Sequence, residues 1–331
     1  MSEQGPPLLE VRGLTIEFVG ARDGAGRAVR AADGVSFDIG RGEILALAGE
    51  SGSGKSVTAL SILRLVPPPG RIVSGTVRFE GRDLLALEER DLRRVRGARI
   101  GFVFQEPMTA LNPAFTVGGQ IAEALEVHGV ARGAAARARA VEWLDAVRIP
   151  DPARRARDFP HQLSGGMRQR VLIAAAMACR PPLVIADEPT TALDATIQAD
   201  ILDLLLAMRQ AYGLSLLLIT HDLGIVARVA DRAAVMYAGR IVEIGPAREV
   251  LASPGHPYTR GLLASRPGHV PGARLDAIPG TVPDPAMLPP GCAFAPRCRD
   301  RFAPCDAARP DAFSLSPGRA VRCFLHNGAA R

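Results

Sequence analysis

GESGSGKS, residues Gly49–Ser56, fits the pattern G-x-x-x-x-G-K-[ST] and lies between segments that give the pattern its physical meaning. Residues 43–48 form a short apolar run typical of a buried strand, and residues 56–66 carry apolar side chains at helical spacing. A strand, a glycine-rich loop and a helix in this order direct backbone N–H groups and the positive end of the helix dipole at a phosphate group. The stretch therefore predicts a site in which Lys55 contacts the β- and γ-phosphates of a nucleotide and Ser56 binds Mg²⁺.

The use of lysine supports this prediction. The chain has 40 Lys and Arg residues together, and Lys55 is the only lysine among them. A compact ammonium on a flexible stem fits inside a tight loop, whereas the planar fork of arginine does not. A sequence that otherwise uses arginine keeps lysine at the one position where a phosphate loop requires it.

Length, composition and charge narrow the class of protein. The chain has 331 residues, 47% of them hydrophobic, which is enough for one large core and a smaller appended unit. No apolar run approaches the roughly 18 residues that a membrane span needs, and the first ten residues lack a signal sequence, so we expect a cytosolic protein. The net charge of +6 suits an anionic ligand, but dispersed arginines and 5% aromatic residues do not indicate a nucleic-acid surface.

The order of apolar segments predicts an α/β fold. Residues 8–18 and 29–39 read as strands joined by a hairpin turn at 20–26, which predicts an antiparallel β part at the N-terminus. A helical insert is expected at about 106–165, with its clearest helical pattern at 120–147. Strands and helices then alternate, so we expect a mostly parallel sheet with helices on both faces.

Three further motifs place polar groups at the ends of apolar segments. Leu163–Met167 (LSGGM) opens a helix, and a Ser-Gly-Gly at a helix start offers a hydroxyl and free N–H groups to a phosphate. Leu183–Glu188 is an apolar strand that ends in two carboxylates, which is where parallel α/β sheets place Mg²⁺. His221 follows a third strand; it could cap the next helix, but a contact with the γ-phosphate is the better interpretation because two other strand ends also carry polar groups.

Together these motifs resemble the ATP-binding subunit of ABC transporters over residues 8–260. The resemblance implies an α/β P-loop NTPase cassette with an N-terminal antiparallel β part, a helical subdomain and a small cysteine-containing C-terminal extension. Gly49–Ser56 resembles Walker A and Leu183–Asp187 resembles Walker B. Leu163–Met167 resembles the signature motif, with Met167 where glutamine is more usual.

The resemblance also implies the roles of individual residues. It makes Glu188, His221, Lys55 and Gln105 catalytic, and it makes Ser56, Gln105 and Asp187 the residues that hold Mg²⁺. Phe18 occupies the place of the aromatic residue that stacks on adenine, although a core phenylalanine fits that position nearly as well. The implied ATP contacts come from the following residues: Phe18, Gly49, Glu50, Ser51, Gly52, Ser53, Gly54, Lys55, Ser56, Val57, Gln105, Ser164, Gly165, Gly166 and Asp194.

The tail narrows the resemblance further. The run HPYTRGLL at 256–263 and the segment GCAFAPRC at 291–298 are similar to the C-terminal extension of oligopeptide and dipeptide transporter ATPases, so we predict an extension over residues 261–331. Clustered cysteines in a cytosolic chain do not indicate disulfides, and no C-x₂-C knuckle supports a zinc ribbon. The resemblance implies a [4Fe-4S] cluster held by Cys292, Cys298, Cys305 and Cys323, with another metal or free thiols as alternatives.

The tail also has little apolar sequence with which to fold alone, so a metal would supply stability that it lacks. A structural and a sensory role for such a metal are both compatible with the sequence. Cys179, at the end of a predicted helix, is interpreted as a core residue.

The implied function is ATP hydrolysis that powers peptide import. The implied partners are two membrane permease subunits, a second ATPase subunit and an extracytoplasmic substrate-binding protein, with this chain at the cytoplasmic face of the membrane. The same machine could import nickel or another small solute. A soluble ABC ATPase that acts on nucleic acid or ribosomes is disfavoured, because the chain shows one uninterrupted cassette and no heptads.

Overall fold

A computed structural model of the chain describes residues 5–20, 28–191, 193–265 and 278–327. The chain divides into two compact units. The first contains the residues up to Ile39, Ile44–Leu85 and the residues from Thr220 onward, and the second contains Gly40–Glu43 and Ala86–Ile219. The predicted hairpin turn at 20–26 lies, after Gly20, outside the described residues.

Strands and helices alternate along most of the described chain, as the sequence predicts. The strands are β1 (Leu9–Val19), β2 (Ala28–Ile39), β3 (Ile44–Ala48), β4 (Gly70–Phe79), β5 (Arg82–Asp83), β6 (Ile100–Val103), β7 (Leu183–Asp187), β8 (Ser215–Thr220), β9 (Arg232–Tyr237), β10 (Arg240–Pro246), β11 (Phe313–Ser316) and β12 (Arg319–Val321). The α-helices are α1 (Lys55–Ile62), α2 (Glu89–Val95), α3 (Pro107–Ala110), α4 (Val117–Val127), α5 (Gly133–Ala146), α6 (Pro152–Arg155), α7 (Gly165–Met177), α8 (Ala195–Tyr212), α9 (Leu223–Val229), α10 (Ala247–Ala252), α11 (Pro257–Ala264) and α12 (Ala303–Ala307). Short 3₁₀ turns occur at Pro160–Gln162, Pro285–Met287, Ala295–Arg297 and Phe324–His326.

The first unit contains the predicted antiparallel β part. Its four strands have the order β2-β1-β4-β5, and β1 pairs antiparallel with both neighbours. Residues 9–12 of β1 alternate between buried and more exposed, which is the pattern of a strand with one face on a core, and register irregularities after Val11 interrupt this alternation. The register places Phe18 opposite Val29 on one side and opposite Gly70 on the other.

A second sheet of the first unit runs in the order β11-β12-β10-β9-β3. β3 and β9 are parallel, whereas β9 with β10, β10 with β12 and β12 with β11 are antiparallel. The sequence predicts a mostly parallel sheet but not that this edge is antiparallel. β9 and β10 are antiparallel because the two-residue turn Ala238-Gly239 joins them, and both of its residues have a positive φ (45° and 81°), as a type I′ hairpin requires.

The described tail is built onto this sheet and packs against its residues. Its strand β12 extends the sheet, and its Phe294 packs against Tyr237 and Tyr258 with ring centroids 5.2 and 5.5 Å apart. Glu243 of β10 is buried and pairs at 3.1 Å with the buried Arg319 of β12. The cassette therefore supplies the apolar surface that the tail sequence lacks.

The second unit contains three parallel strands in the order β8-β7-β6 and the predicted helical insert. The strands β7 and β8 are buried along their whole length, which is expected of parallel strands covered on both faces. The insert is built from α3–α6, and its long helices α4 and α5 pack on one another and on α7. The indole nitrogen of Trp143 donates to the carbonyl of Ala178 at 3.1 Å, which ties α5 to the end of α7.

None of the helices within the described ranges is long and apolar enough to cross a membrane.

His256 generates a prediction about pH and stability. Its buried ring caps α11, with Nδ1 accepting from the backbone N–H of Tyr258 at 3.0 Å. Burial, followed by the charges of Arg260 and His326, lowers the pKa of His256 to about 3. Because an unfolded histidine has a pKa of about 6.5, the unfolded state binds the extra proton between these values, and acid therefore destabilises the fold.

His256→Asn keeps a capping side chain but lacks the titrating ring. Between pH 7.5 and pH 5.5 we expect the free energy of unfolding to fall by about 1.4 kcal/mol more in the wild type than in this variant. Denaturant unfolding of the full chain at both pH values measures the difference. The exposed His161→Asn serves as the control and should leave the loss unchanged. An identical loss of stability in the wild type and in His256→Asn would show that protonation of His256 does not cause the destabilisation by acid.

Candidate nucleotide-binding site

The loop between β3 and α1 holds Lys55 in a defined position. Lys55 is only 4% exposed, and its Nζ donates to the carbonyl oxygens of Gly49 and Glu50, both at 2.9 Å. Ser53 Oγ lies 3.4 Å from the same nitrogen. The loop's own carbonyls therefore orient the ammonium, while Ser51 and Gly52 at the tip of the loop are exposed to solvent.

Two glycines of the loop are required by close backbone approach. At Gly54, where φ is +99°, a Cβ would collide with the carbonyl oxygen of Ala31 on β2. At Gly49, where φ is +152°, it would collide with the carbonyl oxygen of Met236 on β9. Residues with a side chain would open the loop at both positions, so the sequence pattern reflects packing in addition to ligand binding.

Glu50 contacts two residues that the sequence did not assign to the site. Its backbone N–H donates to the hydroxyl of Tyr258 at 2.8 Å. Its carboxylate accepts from Nη1 and Nη2 of Arg297 at 2.7 and 3.1 Å. Both partners lie in the segments HPYTRGLL and GCAFAPRC, which were visible in the sequence only as family signatures.

Phe18 and His221 also belong to the first unit. Phe18 is half-buried, and its ring lies against Gly70, where a Cβ would come within 2.7 Å of the ring. His221 is exposed and does not cap α9, because Asp222 Oδ1 accepts from the backbone N–H of Gly224 at 2.6 Å. The cap interpretation of His221 is therefore wrong, and its contact with a γ-phosphate stays a prediction.

In the second unit the structure brings Gln105 and Glu188 together. Asp187 ends β7 and is buried, and Glu188 follows it with a left-handed φ of +45°, a conformation that non-glycine residues rarely adopt. Glu188 Oε2 accepts from Thr191 Oγ1 at 2.8 Å and lies 3.4 Å from Gln105 Nε2. Thr191 was not predicted as a site residue; its position three residues after Glu188 is the only signal that the sequence contains.

The Ser-Gly-Gly segment and Asp194 occupy two adjacent helix starts. Ser164 Oγ accepts from the backbone N–H of Met167 at 3.4 Å at the start of α7. Asp194 Oδ1 accepts from the N–H groups of Thr196 and Ile197 at 3.1 and 2.9 Å at the start of α8. Gly166 lies against Ile197, and a Cβ would come within 2.8 Å of that side chain. Both polar side chains serve as helix N-caps.

The predicted site residues are thus divided between the two units. The first holds Phe18, Gly49–Val57 and His221, and the second holds Gln105, Ser164–Gly166, Asp187, Glu188 and Asp194. Ser56 and Val57 lie half-buried in the first turn of α1. The individual nucleotide and Mg²⁺ contacts of these residues stay predictions.

The four tail cysteines line one small cavity of the first unit. Burial raises the pKa of Cys323 to about 11 and also raises the pKa values of Cys292 and Cys298. Among the residues that the structure describes, no group of three or more His, Cys, Asp or Glu side chains is arranged to hold a metal ion. The predicted [4Fe-4S] cluster is therefore not confirmed. Cys179 lies apart from this cavity, in the second unit.

Comparison with known proteins gives two family matches in one chain. The family described as ABC transporter matches residues 32–191, and the family described as oligopeptide/dipeptide transporter, C-terminal region, matches residues 242–305. A dipeptide transport ATP-binding protein of Bacillus subtilis is 48% identical, with 98% of this chain and 96% of that protein covered. A putative peptide import ATP-binding protein of Brucella abortus is 51% identical, with 96% of this chain and 94% of that protein covered.

Solved structures share the same architecture. An ATP-binding cassette solved as a dimer in a post-hydrolysis state with ADP and Pi has a TM-score of 0.62 at 30% identity, and covers 72% of this chain and 99% of that one. A cassette of the cbiONQ transporter complex from Clostridium perfringens has a TM-score of 0.62 at 27% identity and covers 75% of this chain and 92% of that one.

The geometry of the loop leads to a prediction for Lys55→Arg. Arginine keeps the charge, but its planar fork cannot place a donor on the carbonyls of Gly49 and Glu50 and on a phosphate within the same loop. We expect ATP hydrolysis to fall roughly 100-fold. Arg12→Lys, at an exposed ion pair, is the matched control and should retain activity. Normal hydrolysis by Lys55→Arg would show that a compact ammonium is not required.

Proposed function

Because this chain belongs to the ABC transporter family, we propose that it is the ATP-hydrolysing subunit that powers import of oligo- or dipeptides through a membrane permease. The observation that carries this proposal is the second family match, since the oligopeptide/dipeptide C-terminal region separates this branch from other ABC ATPases. Relatives at about half identity over nearly their whole length are named for dipeptide or peptide import. ATP with Mg²⁺ is the nucleotide that this family of ATPases uses.

We assign the phosphates of ATP to the loop of the first unit. Lys55 already points its ammonium along the inner side of the loop, and a phosphate would share its three donors with the carbonyls of Gly49 and Glu50. His221, which is exposed, is assigned to the γ-phosphate. Phe18, whose ring lies against Gly70, is assigned to the adenine. The backbone N–H groups of the loop and the start of α1 supply the remaining positive potential.

We assign the hydrolytic chemistry to Glu188. The contacts from Thr191 and Gln105 both reach Oε2 and so orient the carboxylate. A carboxylate in a fixed orientation can polarise the attacking water and accept its proton. Mg²⁺, held by Ser56, Gln105 and Asp187, would neutralise charge on the phosphates. The strained φ of Glu188 is maintained by the backbone bond from its N–H to the carbonyl of Ile219 at 3.0 Å.

We propose a peripheral position on the cytoplasmic face of the membrane, with two permease subunits, a second ATPase subunit and an extracytoplasmic substrate-binding protein as partners. The second ATPase would contribute its Ser-Gly-Gly segment to the ATP held by this chain, and this chain would contribute Ser164–Gly166 in return. The cassette is assigned to residues 8–260, with its helical insert at about 106–165, and the extension to 261–331. Solved relatives that form dimers support the pairing of two cassettes.

We further propose that Cys292, Cys298, Cys305 and Cys323 hold a [4Fe-4S] cluster. The support is that all four line the same cavity, while the protein's other cysteine does not. A [4Fe-4S] cluster takes four cysteine thiolates as ligands, which is the number of cysteines that line this cavity. The cluster would supply a cross-link between the segment 292–298, α12 and the chain after β12.

A test of the function uses Glu188→Gln in the assembled transporter. The amide cannot accept a proton from water, so we expect ATP binding to persist while hydrolysis and peptide uptake into vesicles fall by roughly 100-fold or more. If the second ATPase is a different chain, it carries the equivalent change. The exposed Glu142→Gln on α5 is the matched control. Uptake of Ni²⁺ but not of peptide by the wild type would contradict the proposal that peptides are the transported molecules. Normal turnover by Glu188→Gln would show that Glu188 does not activate the attacking water.

A test of the cluster uses anaerobically purified full-length protein. We expect a brown protein that absorbs near roughly 400 nm and contains about four irons per chain. Cys298→Ser should lower the iron content, whereas Cys179→Ser, at the cysteine outside the cavity, should not. Colourless protein with stoichiometric zinc, or with no metal, would contradict the cluster.

A further inference from the structure

The tail reaches the phosphate loop through one arginine. The short turn Ala295–Arg297 projects the guanidinium of Arg297 onto Glu50, the second residue of the loop. Nη1 and Nη2 donate to the two carboxylate oxygens at 2.7 and 3.1 Å, which is a bidentate pair, and Nε donates to the carbonyl of Pro279 at 2.9 Å. Three of the five guanidinium N–H groups are thus used, and the direction of the fork is fixed.

The arginine of this pair is buried, whereas its carboxylate partner is partly exposed. The side chain of Arg297 is 5% exposed and that of Glu50 is 29% exposed. The guanidinium carbon also lies 5.9 Å from the ring centroid of Tyr237. An arginine guanidinium keeps its charge at physiological pH, and the two hydrogen bonds to the Glu50 carboxylate offset the cost of burying that charge. Such a pair is costly to break, because one charge would be left without its partner.

Glu50 connects this pair to Lys55. Its backbone N–H is held by the hydroxyl of Tyr258 at 2.8 Å, and its carbonyl oxygen accepts from Lys55 Nζ at 2.9 Å. Glu50 is therefore held at three points. Arg297 binds its side chain, Tyr258 binds its N–H and Lys55 binds its carbonyl oxygen. A shift of the Glu50 backbone would move one of the two carbonyls that orient the ammonium.

We propose that Arg297 is a positioning residue for ATP: it holds Glu50 so that the phosphate loop keeps Lys55 in the geometry that receives the phosphates. The proposal rests on ATP being bound at this loop and is independent of the transported molecule. It gives the C-terminal extension a direct part in nucleotide binding. Neither the family matches nor the names of the relatives assign that part to the extension.

Arg297 is not needed to attach the tail. The pairing of β12 with β10, the buried Glu243–Arg319 ion pair and the packing of Phe294 on Tyr237 hold the tail without it. Arg319 also donates to the carbonyl of Ser253. Removal of Arg297 should therefore leave the tail folded and change the loop, which separates a positioning role from a purely structural one.

The experiment measures the KM and kcat for ATP, together with the melting temperature, in the assembled transporter. We expect Arg297→Ala to raise the KM for ATP by roughly three- to thirtyfold, with a much smaller change in kcat. Arg297→Lys keeps the charge but loses the bidentate fork, so its KM should lie between those of the wild type and the alanine variant. Arg301→Ala removes a tail arginine that pairs with Asp306 at an exposed site, and it should leave KM unchanged.

A double-variant cycle with Glu50→Gln shows whether the effect passes through Glu50. If it does, Arg297→Ala combined with Glu50→Gln should have no higher KM than the more affected single variant. An unchanged KM in a folded Arg297→Ala protein, strictly additive effects, or an equal rise in Arg301→Ala would overturn the proposal. If Arg297→Ala does not fold, a wild-type KM in Arg297→Lys overturns it equally. If the transporter does not import peptides but Arg297→Ala still raises the KM for ATP, the proposal of peptide import fails and the positioning role of Arg297 stands.

Discussion

The phosphate loop lies in close backbone contact with β2 and β9, and this contact constrains its residue types. Gly49 lies against the carbonyl of Met236 on β9 and Gly54 against the carbonyl of Ala31 on β2, so neither position has room for a side chain. The loop consequently lies between the antiparallel sheet and the second sheet. The carbonyl oxygens of Gly49 and Glu50 accept hydrogen bonds from Lys55 Nζ. A lysine ammonium can satisfy two carbonyls and still present a donor to a phosphate, which makes the residue type as constrained as the glycines.

Residues of the C-terminal part of the chain contact the same loop. Tyr258 and Arg297 both contact the loop at Glu50, whose backbone N–H donates to the Tyr258 hydroxyl and whose carboxylate accepts from Arg297. The tail is itself fixed by a strand added to the sheet edge, which satisfies backbone groups that an open edge would expose. The buried pair of Glu243 and Arg319 is weak evidence for stability by itself, because both charges lose hydration. It specifies where β12 lies along β10.

In the second unit the residue with the most notable backbone conformation is Glu188. Glu188 leaves β7 in the left-handed region, and this turn directs its carboxylate toward Thr191 and Gln105. A non-glycine residue in this conformation persists only where its surroundings hold it, and such residues cluster at functional sites. The capped starts of α7 and α8 lie in the same unit, where Ser164 and Asp194 satisfy N–H groups that would otherwise lack partners.

The sequence by itself determined the phosphate loop, the α/β class, the antiparallel N-terminal part, the helical insert and the resemblance to ABC ATPases. Each of these depends on local spacing, on residue type or on motif order, which can be read along the chain. Only the tertiary structure decided that the last strands of the sheet are antiparallel, that Asp222 and not His221 caps α9, and that Arg297 and Tyr258 hold Glu50. Arg297 and Glu50 are separated by 247 positions. Contacts between residues so distant in sequence follow no local period, because they depend on where the packed strands and turns bring their side chains together.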